Sequence, residues 1–329
     1  MPTPTPLVFG PVPSRRLGRS LGINNVPPKS CSYSCVYCQV GATVQRRIER
    51  RAFHSPEEVV CAVLRRVQSL REQGQHVDYL TFVPDGEPTL DVHLGQEIDR
   101  LRSLEVPIAV ITNGSLLGNE DVRATLNRTQ WVSIKVDAVE VPTWQQVNRP
   151  HDALALEQVL AGLRAFSRGF EGELATETML VRGLNDRPAA LESTATFLAE
   201  LGPAVAYVAV PTRPPSEGWV RAPDEEVVTA AHEIFSRHLP RVELLVGWEG
   251  SDFGTSGDAV EDLLAISAVH PLREDAVTEL LERDHAGREV LDELLADGRL
   301  RAVEHEGQRF FVRRFARPVA TLDGAEGGT

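Results

Sequence analysis

Cys31-Ser-Tyr-Ser-Cys35-Val-Tyr-Cys38, the stretch CSYSCVYC, holds three of the chain's four cysteines, and the fourth, Cys61, lies well downstream. Three thiols in so short a span admit three chemistries. A structural zinc site takes four ligands, often as two Cys-x-x-Cys pairs. Here the second pair is missing and no histidine follows at finger spacing. A redox dithiol needs only Cys35-Val-Tyr-Cys38 and leaves Cys31 idle. An iron–sulfur cluster held by three thiolates, where four are usual, leaves one iron open to an outside ligand.

The rest of the chain sets the compartment in which those thiols sit. The 329 residues are 42% hydrophobic and 25% charged, the profile of a soluble globular protein. That length suits one large domain or a large one with a small one. The opening MPTPTPLVFGPVPSRRLG is proline-rich and lacks the apolar run of a signal peptide. No segment approaches the length of a membrane span. The expected location is the cytoplasm, with no membrane partner, where thiols stay reduced and a tight cysteine cluster binds metal or does redox work.

A formal net charge of −13 argues against a general nucleic-acid binder. Residues 1–51 reverse the sign: Arg15, Arg16, Arg19, Lys29, Arg46, Arg47, Arg50 and Arg51 face a single acid, Glu49. This basic rim around the cysteines is either a solvated face or a phosphate-facing patch. Lysine occurs only at 29 and 135 in a chain that otherwise uses arginine, a hint that a flexible ammonium matters there.

Short β-branched runs alternate with helical patterns. Strands are expected at 20–24, 79–83, 108–112, 131–138, 174–181, 205–211 and 242–247. The clearest helix begins at Ser55 (N-cap), Pro56 and Glu58, continues through Val59, Val60, Val63, Leu64, Val67 and Leu70, and stops at Gly74. Cys61 lies on it beside Val60 and Ala62 and reads as a buried apolar thiol. Repeated strand–helix–strand units make an α/β fold with a parallel sheet, a partial (β/α)6-type TIM-like barrel. Active residues of such barrels sit at the C-terminal ends of strands. PDGEPTL, TNG, KVDA, VRGLND, PTRPP and GWEGSDFG all fall there.

Beyond GSDFGTSGD, residues 258–268, 272–283 and 287–297 read as three short helices, and RLRAVEHEGQRFFVRRF as a hairpin turning at EHEG. This is the pattern of a small winged-helix domain over 256–318, with 319–329 a flexible tail. Its third helix carries Glu289, Asp292, Glu293 and Asp297 against Arg288, so it would repel DNA. Arg309, Arg313, Arg314 and Arg317 on the hairpin could touch a backbone, but a packing or substrate-presenting role fits better.

Cys31-x3-Cys35-x2-Cys38, with Tyr37 before the last cysteine and the loop placed after the first strand of a barrel, resembles the signature of the radical S-adenosylmethionine (radical SAM) superfamily. Within it, FGPVPSRRLGRSLGINNVPPKSCSYSCVYCQVG, NRP (148–150), PTRPP (211–215) and AVHPLREDAV (268–277) resemble a group of prokaryotic Fe-S oxidoreductases related to the enzyme of wybutosine synthesis. The resemblance implies a core over residues 1–255, with Cys31, Cys35 and Cys38 holding one [4Fe-4S] cluster and S-adenosyl-L-methionine completing it. By the same resemblance, Gly86-Glu87-Pro88 holds the methionine amino group and Thr112-Asn113-Gly114 lies near methionine and ribose. Ser133, Lys135 and Asp137 contact ribose or carboxylate, Val181 and Asn185 the adenine, and Tyr37 packs beside the adenine. Lys135 has an alternative partner in Asp137, two residues along one strand face. The wybutosine enzyme carries a second cluster, for which this chain has only Cys61 to spare, so its reaction is not carried over.

Three functions follow as expectations. One is radical modification of a tRNA or other RNA base, recognised by the basic rim. Another is modification of a peptide or protein presented by the winged helix. The third is a non-catalytic Fe-S regulator on DNA, which would not need the barrel motifs. An enzyme of this class would draw electrons from a flavodoxin- or ferredoxin-type donor.

Overall fold

The computed structural model describes residues 6–43, 45–247, 250–251 and 253–314. Trp248, Glu249 and Asp252 of the GWEGSDFG segment, Arg317 and the expected tail lie outside the described residues. Strand β1 (Val8–Ser14) turns through Arg15-Arg16-Leu17 into β2 (Gly18–Ile23) and pairs with it antiparallel. The cysteine loop follows, tied by a short parallel pair, β3 (Ser30–Cys31) and β4 (Gln45–Arg46). Helix α1 (Pro56–Glu72) starts with the expected capping box, Ser55 and Glu58 satisfying each other's backbone N–H groups. It ends just before Gly74, whose φ of +70° is one a β-carbon resists.

The chain then alternates strand and helix: β5 (Tyr79–Phe82), α2 (Leu94–Leu101), β6 (Ile108–Thr112), α3 (Glu120–Leu126), β7 (Trp131–Lys135), α4 (Val141–Asn148), α5 (Leu156–Gly169), β8 (Glu173–Met179), α6 (Pro188–Leu201), β9 (Val205–Ala209), α7 (Glu225–His238) and β10 (Val242–Leu245). One sheet runs β1-β2-β5-β6-β7-β8-β9-β10, and every pairing from β2 onward is parallel. Its curl makes a partial TIM-like barrel. The two edges are not paired as strands; instead Arg15 Nη2 donates to the Gly247 carbonyl at 3.0 Å between them.

Period-two alternation sorts the strands' side chains. Ile108, Val110, Val132, Ile134 and Val208 enter the core under the helices. Ala109, Trp131, Ala175, Val205, Tyr207 and Ala209 turn inward with Leu17 and Leu245. The inward apolar layer fills the base of the lumen. Farther along the same faces of β7 and β8 come Lys135, four steps from Trp131, and Glu177, two from Ala175, at the ends that line the site.

The C-terminal part comprises α8 (Ala259–Val269), β11 (Leu272–Arg273), α9 (Glu274–Arg283), α10 (Glu289–Ala296), β12 (Leu300–His305) and β13 (Gln308–Arg313), with sheet order β11-β13-β12. It has its own core around Leu263, Ile266, Leu280, Leu294 and Phe311. The second helix starts at Glu274, not at 272, because Leu272 and Arg273 pair with Phe311 and Phe310. The inward strand β1, absent from the sequence expectation, lies against α8.

Cys61 is exposed, which corrects its reading as a buried thiol. The buried stripe of α1 is Val59, Val60, Val63, Val67 and Leu70, and position 61 falls on the opposite flank, as does half-exposed Leu64. Among the described residues no helix is long and apolar enough to cross a membrane.

Candidate active site

The C-terminal ends of the strands, the cysteine loop, the β1–β2 turn and the end of α8 surround a cavity of ≈320 Å³. Cys31, Cys35 and Cys38 all line it. The loop that presents them is pinned on both sides. Lys29 N donates to the Asp85 carbonyl at 2.7 Å and Glu87 N to the Ser30 carbonyl at 2.8 Å. This approach leaves no room at Gly86: a β-carbon there would sit 2.2 Å from the Ser30 oxygen. On the far side, Val36 N donates to the Val147 carbonyl at 2.9 Å, and Ser216 Oγ donates to the Val36 carbonyl at 2.8 Å.

Glu87 is fully enclosed and its carboxylate is saturated. Oε1 accepts from Thr89 N (3.1 Å), Thr89 Oγ1 (2.6 Å) and Thr112 Oγ1 (2.6 Å), and Oε2 from Asn113 N (2.8 Å). Burial pushes this carboxyl above the usual range, against those four donors. Asn113 Nδ2 donates to Ser32 Oγ at 2.8 Å and lies 3.5 Å from Cys31 Sγ. Thus Gly86, Glu87, Thr112 and Asn113 are brought together beside the first cysteine, as the motifs led one to expect, and line the cavity.

Lys135 lines it too, but its partner is Glu177 and not Asp137. Glu177 is shared with Arg16, which reaches across the lumen from the β1–β2 turn. Burial opposes its charge, yet Lys135 and then Arg16 outweigh burial and hold the carboxyl down at about 2. Asp137 instead accepts from the Tyr37 hydroxyl, from Asn148 Nδ2 at 2.6 Å and from Met179 N at 2.8 Å. Lys135 Nζ stands 5.2 Å from the Tyr37 ring centroid.

Five expected contacts do not line the cavity: Pro88, Asp137, Val181 and Asn185 are buried outside its lining, and Ser133 is buried on the inward face of β7 between Trp131 and Lys135. Asn185 braces the turn after β8, accepting from Val181 N at 2.8 Å and donating to the Asp137 carbonyl at 2.9 Å. Val181 packs with Val36 and Tyr37. Arg16 and Glu177 are not among the expected site residues, although Glu177 shares the inward face of β8 with Ala175 and Met179. The basic rim is largely spent inside the protein. Arg16 serves Glu177, Lys29 pairs with Asp85 at 3.0 Å, and Arg50 donates to the carbonyls of Thr89 (2.9 Å) and Asp91 (3.1 Å).

Each cysteine faces the cavity, so some of its surface is accessible, yet protein encloses it. Burial pushes all three thiols up, Cys35 to about 12 with Asp137 adding to the effect. Among the described residues no three His, Cys, Asp or Glu side chains converge on a single metal ion. Thiolates of a [4Fe-4S] cluster bind different irons, and Cys31, Cys35 and Cys38 line one cavity, a donor set that fits such a cluster.

The Radical SAM superfamily profile matches residues 25–194, more than half of the chain and the whole segment from the cysteine loop to α6. The chain belongs to the radical SAM superfamily. A radical SAM enzyme of this family uses a [4Fe-4S] cluster and S-adenosylmethionine, and Cys31, Cys35 and Cys38 supply its Cys-x3-Cys-x2-Cys motif. A UPF0026 protein of Methanocaldococcus jannaschii is 44% identical over 93% of this chain and 96% of its own length. The crystal structure of a radical SAM methyltransferase from Sphaerobacter thermophilus aligns with a TM-score of 0.51 at 17% identity. It covers 69% of this chain and 66% of that one, a likeness of fold. A TYW1 structure with a lysine-pyruvate adduct bound aligns at a TM-score of 0.44 and 14% identity over 90% of this chain and 80% of its own, too distant to bear on the substrate.

Proposed function

We propose that this radical SAM enzyme modifies a base of tRNA or another RNA. The observation that carries the reading is the charge of the cavity wall. Among the described residues it bears Arg15, Arg16, Lys29, Lys135 and Arg213 against Asp85, Glu87 and Glu177, in a chain whose formal net charge is −13. Burial also raises Asp85 to about 7, with Lys29 opposing, so this wall is less negative than its formula. A cation-lined cavity in an acidic protein attracts a phosphate-bearing substrate, and a nucleotide flipped out of its stack would enter it with its phosphates at the rim.

When bound, the cluster and S-adenosylmethionine would supply one-electron reductive cleavage and the radical chemistry that follows from it. The chain's own residues do the rest. Cys31, Cys35 and Cys38 hold the cluster. Gly86 lets the Glu87 turn close onto the cysteine loop, and Glu87, Thr112 and Asn113 form a wall that would hold the cofactor's amino acid. Tyr37, fixed by Asp137, and Lys135 form the wall beyond. Pro88, Ser133, Asp137, Val181 and Asn185 support that wall. The inward apolar layer keeps bulk water from the base of the lumen. A flavodoxin- or ferredoxin-type donor and a cytoplasmic site of action complete this reading.

A second substrate class has one observation in its favour. Val269 and His270, at the end of α8, line the cavity, so the C-terminal part is a piece of the site's wall. Read as a winged helix, this part would present a peptide, and the acids of α10 would suit a basic one. The test is mass spectrometry of modified nucleosides from cells with and without the gene. Loss of one modified nucleoside is expected. Identical nucleoside profiles, with a modified peptide appearing only when the gene is present, would overturn the RNA reading in favour of the peptide.

A further inference from the structure

Asn148 is the last residue of α4 and is buried. The end of that helix is laced onto the cysteine loop on both sides of Cys35: Ser34 N donates to the Asn148 carbonyl at 3.0 Å and Val36 N to the Val147 carbonyl at 2.9 Å. The Asn148 side chain points into the same junction. Its Nδ2 lies 3.4 Å from Cys35 Sγ and 2.6 Å from Asp137 Oδ2. An amide nitrogen carries two hydrogens, enough for both partners. The opposite orientation would set the amide oxygen against a carboxylate, so Asp137 fixes which atom faces the sulfur. Asp137 is itself held by Met179 N at 2.8 Å and by the Tyr37 hydroxyl.

We propose that Asn148 is a positioning residue that sets the reduction potential of the cluster through Cys35. The inference rests on the radical SAM chemistry of the chain and is independent of the RNA reading. A donor to a ligating sulfur stabilises the negative charge that grows when the cluster takes an electron, and burial strengthens that bond. Asn113 makes the corresponding approach to Cys31 at 3.5 Å, but the same nitrogen donates to Ser32 Oγ at 2.8 Å. The Asn148 amide divides its two hydrogens in the same way, between Asp137 Oδ2 at 2.6 Å and Cys35 Sγ at 3.4 Å, but its second partner is a carboxylate, which can only accept and so fixes the orientation of the amide. Asp137 thereby acts through Asn148, accepting one of its two N–H groups and leaving the other directed at the sulfur, while remaining out of the cavity.

The experiment uses the full chain, reconstituted anaerobically, as wild type, Asn148→Leu and Asn148→Ala. Iron content is measured, and the midpoint potential is taken from a redox titration followed by electron paramagnetic resonance, without S-adenosylmethionine or substrate. The expected result is an intact cluster that is harder to reduce in both variants. An about tenfold fall in the reduction equilibrium constant corresponds to a shift of ~59 mV to more negative potential for one electron. A wild-type potential in a variant with full iron would overturn the proposal. Loss of the cluster from both variants would overturn it too, since Asn148 would then build the site and not tune it.

Discussion

Glu177 and the three cysteines line one cavity and are enclosed by the same protein, yet their acidities move in opposite directions. Glu177 is held down at about 2 while Cys35 is pushed up to about 12. Burial acts against the anion in every case. The difference is the neighbour: Glu177 has Lys135 and Arg16 in contact, whereas Cys35 has Asp137 and Cys38, which add to the penalty. One region is electrostatically complete from the chain alone. The other has three acceptor atoms and no protein cation among the leading influences on Cys31 and Cys35, the environment in which metal binding supplies the charge that ionises the ligands.

That contrast can be broken at either end. The largest effect is expected at the cysteines: Cys35→Ala should lose the cluster and all 5′-deoxyadenosine formation, read as iron per chain and by chromatography. Full iron retention would remove Cys35 from the ligand set. Next comes Glu177→Gln, which strands two half-buried cations and should cost about 2–4 kcal/mol in denaturant unfolding. Its pH dependence carries a definite sign. A folded-state value of about 2 against the ordinary 4.5 stabilises above pH 4.5 and is lost as pH falls toward 2. The stability gap between wild type and E177Q should therefore narrow over that window, and a constant gap would contradict the ion-pair account. The smallest effect belongs to the fourth cysteine. Cys61→Ser on the exposed flank of α1 should leave iron content unchanged and stability within about 0.5 kcal/mol.

The same contrast explains what was legible in the sequence. The ligand set could be read because its chemistry is local: three cysteines lie in eight residues, and the loop's second anchor, Gly86-Glu87, is a short motif with a packing reason for its glycine. The strand–helix alternation gave the parallel sheet for the same reason. Glu177 and Arg16 could not be read as partners because 161 residues separate them and only the curl of the sheet brings them together. Asp137 was assigned to the cofactor because it shares a strand end with Lys135. Strand β7 ends at Lys135, so Asp137 lies beyond the pleat and is turned to Tyr37 and Asn148 instead. Strand β1 escaped notice because glycine and prolines interrupt its apolar pattern, and its cavity-facing half ends in Pro13 and Ser14. Cys61 stands one step off the buried stripe, and apolar Val60 and Ala62 beside it mask the exposed flank.

The central claim is that three thiols in this loop hold a cluster able to cleave S-adenosylmethionine. The direct measurement is anaerobic reconstitution of the full chain, an iron assay, then addition of dithionite and S-adenosylmethionine with quantification of 5′-deoxyadenosine. About four irons per chain and accumulating 5′-deoxyadenosine are predicted. An intact four-iron cluster that yields no 5′-deoxyadenosine would contradict the claim.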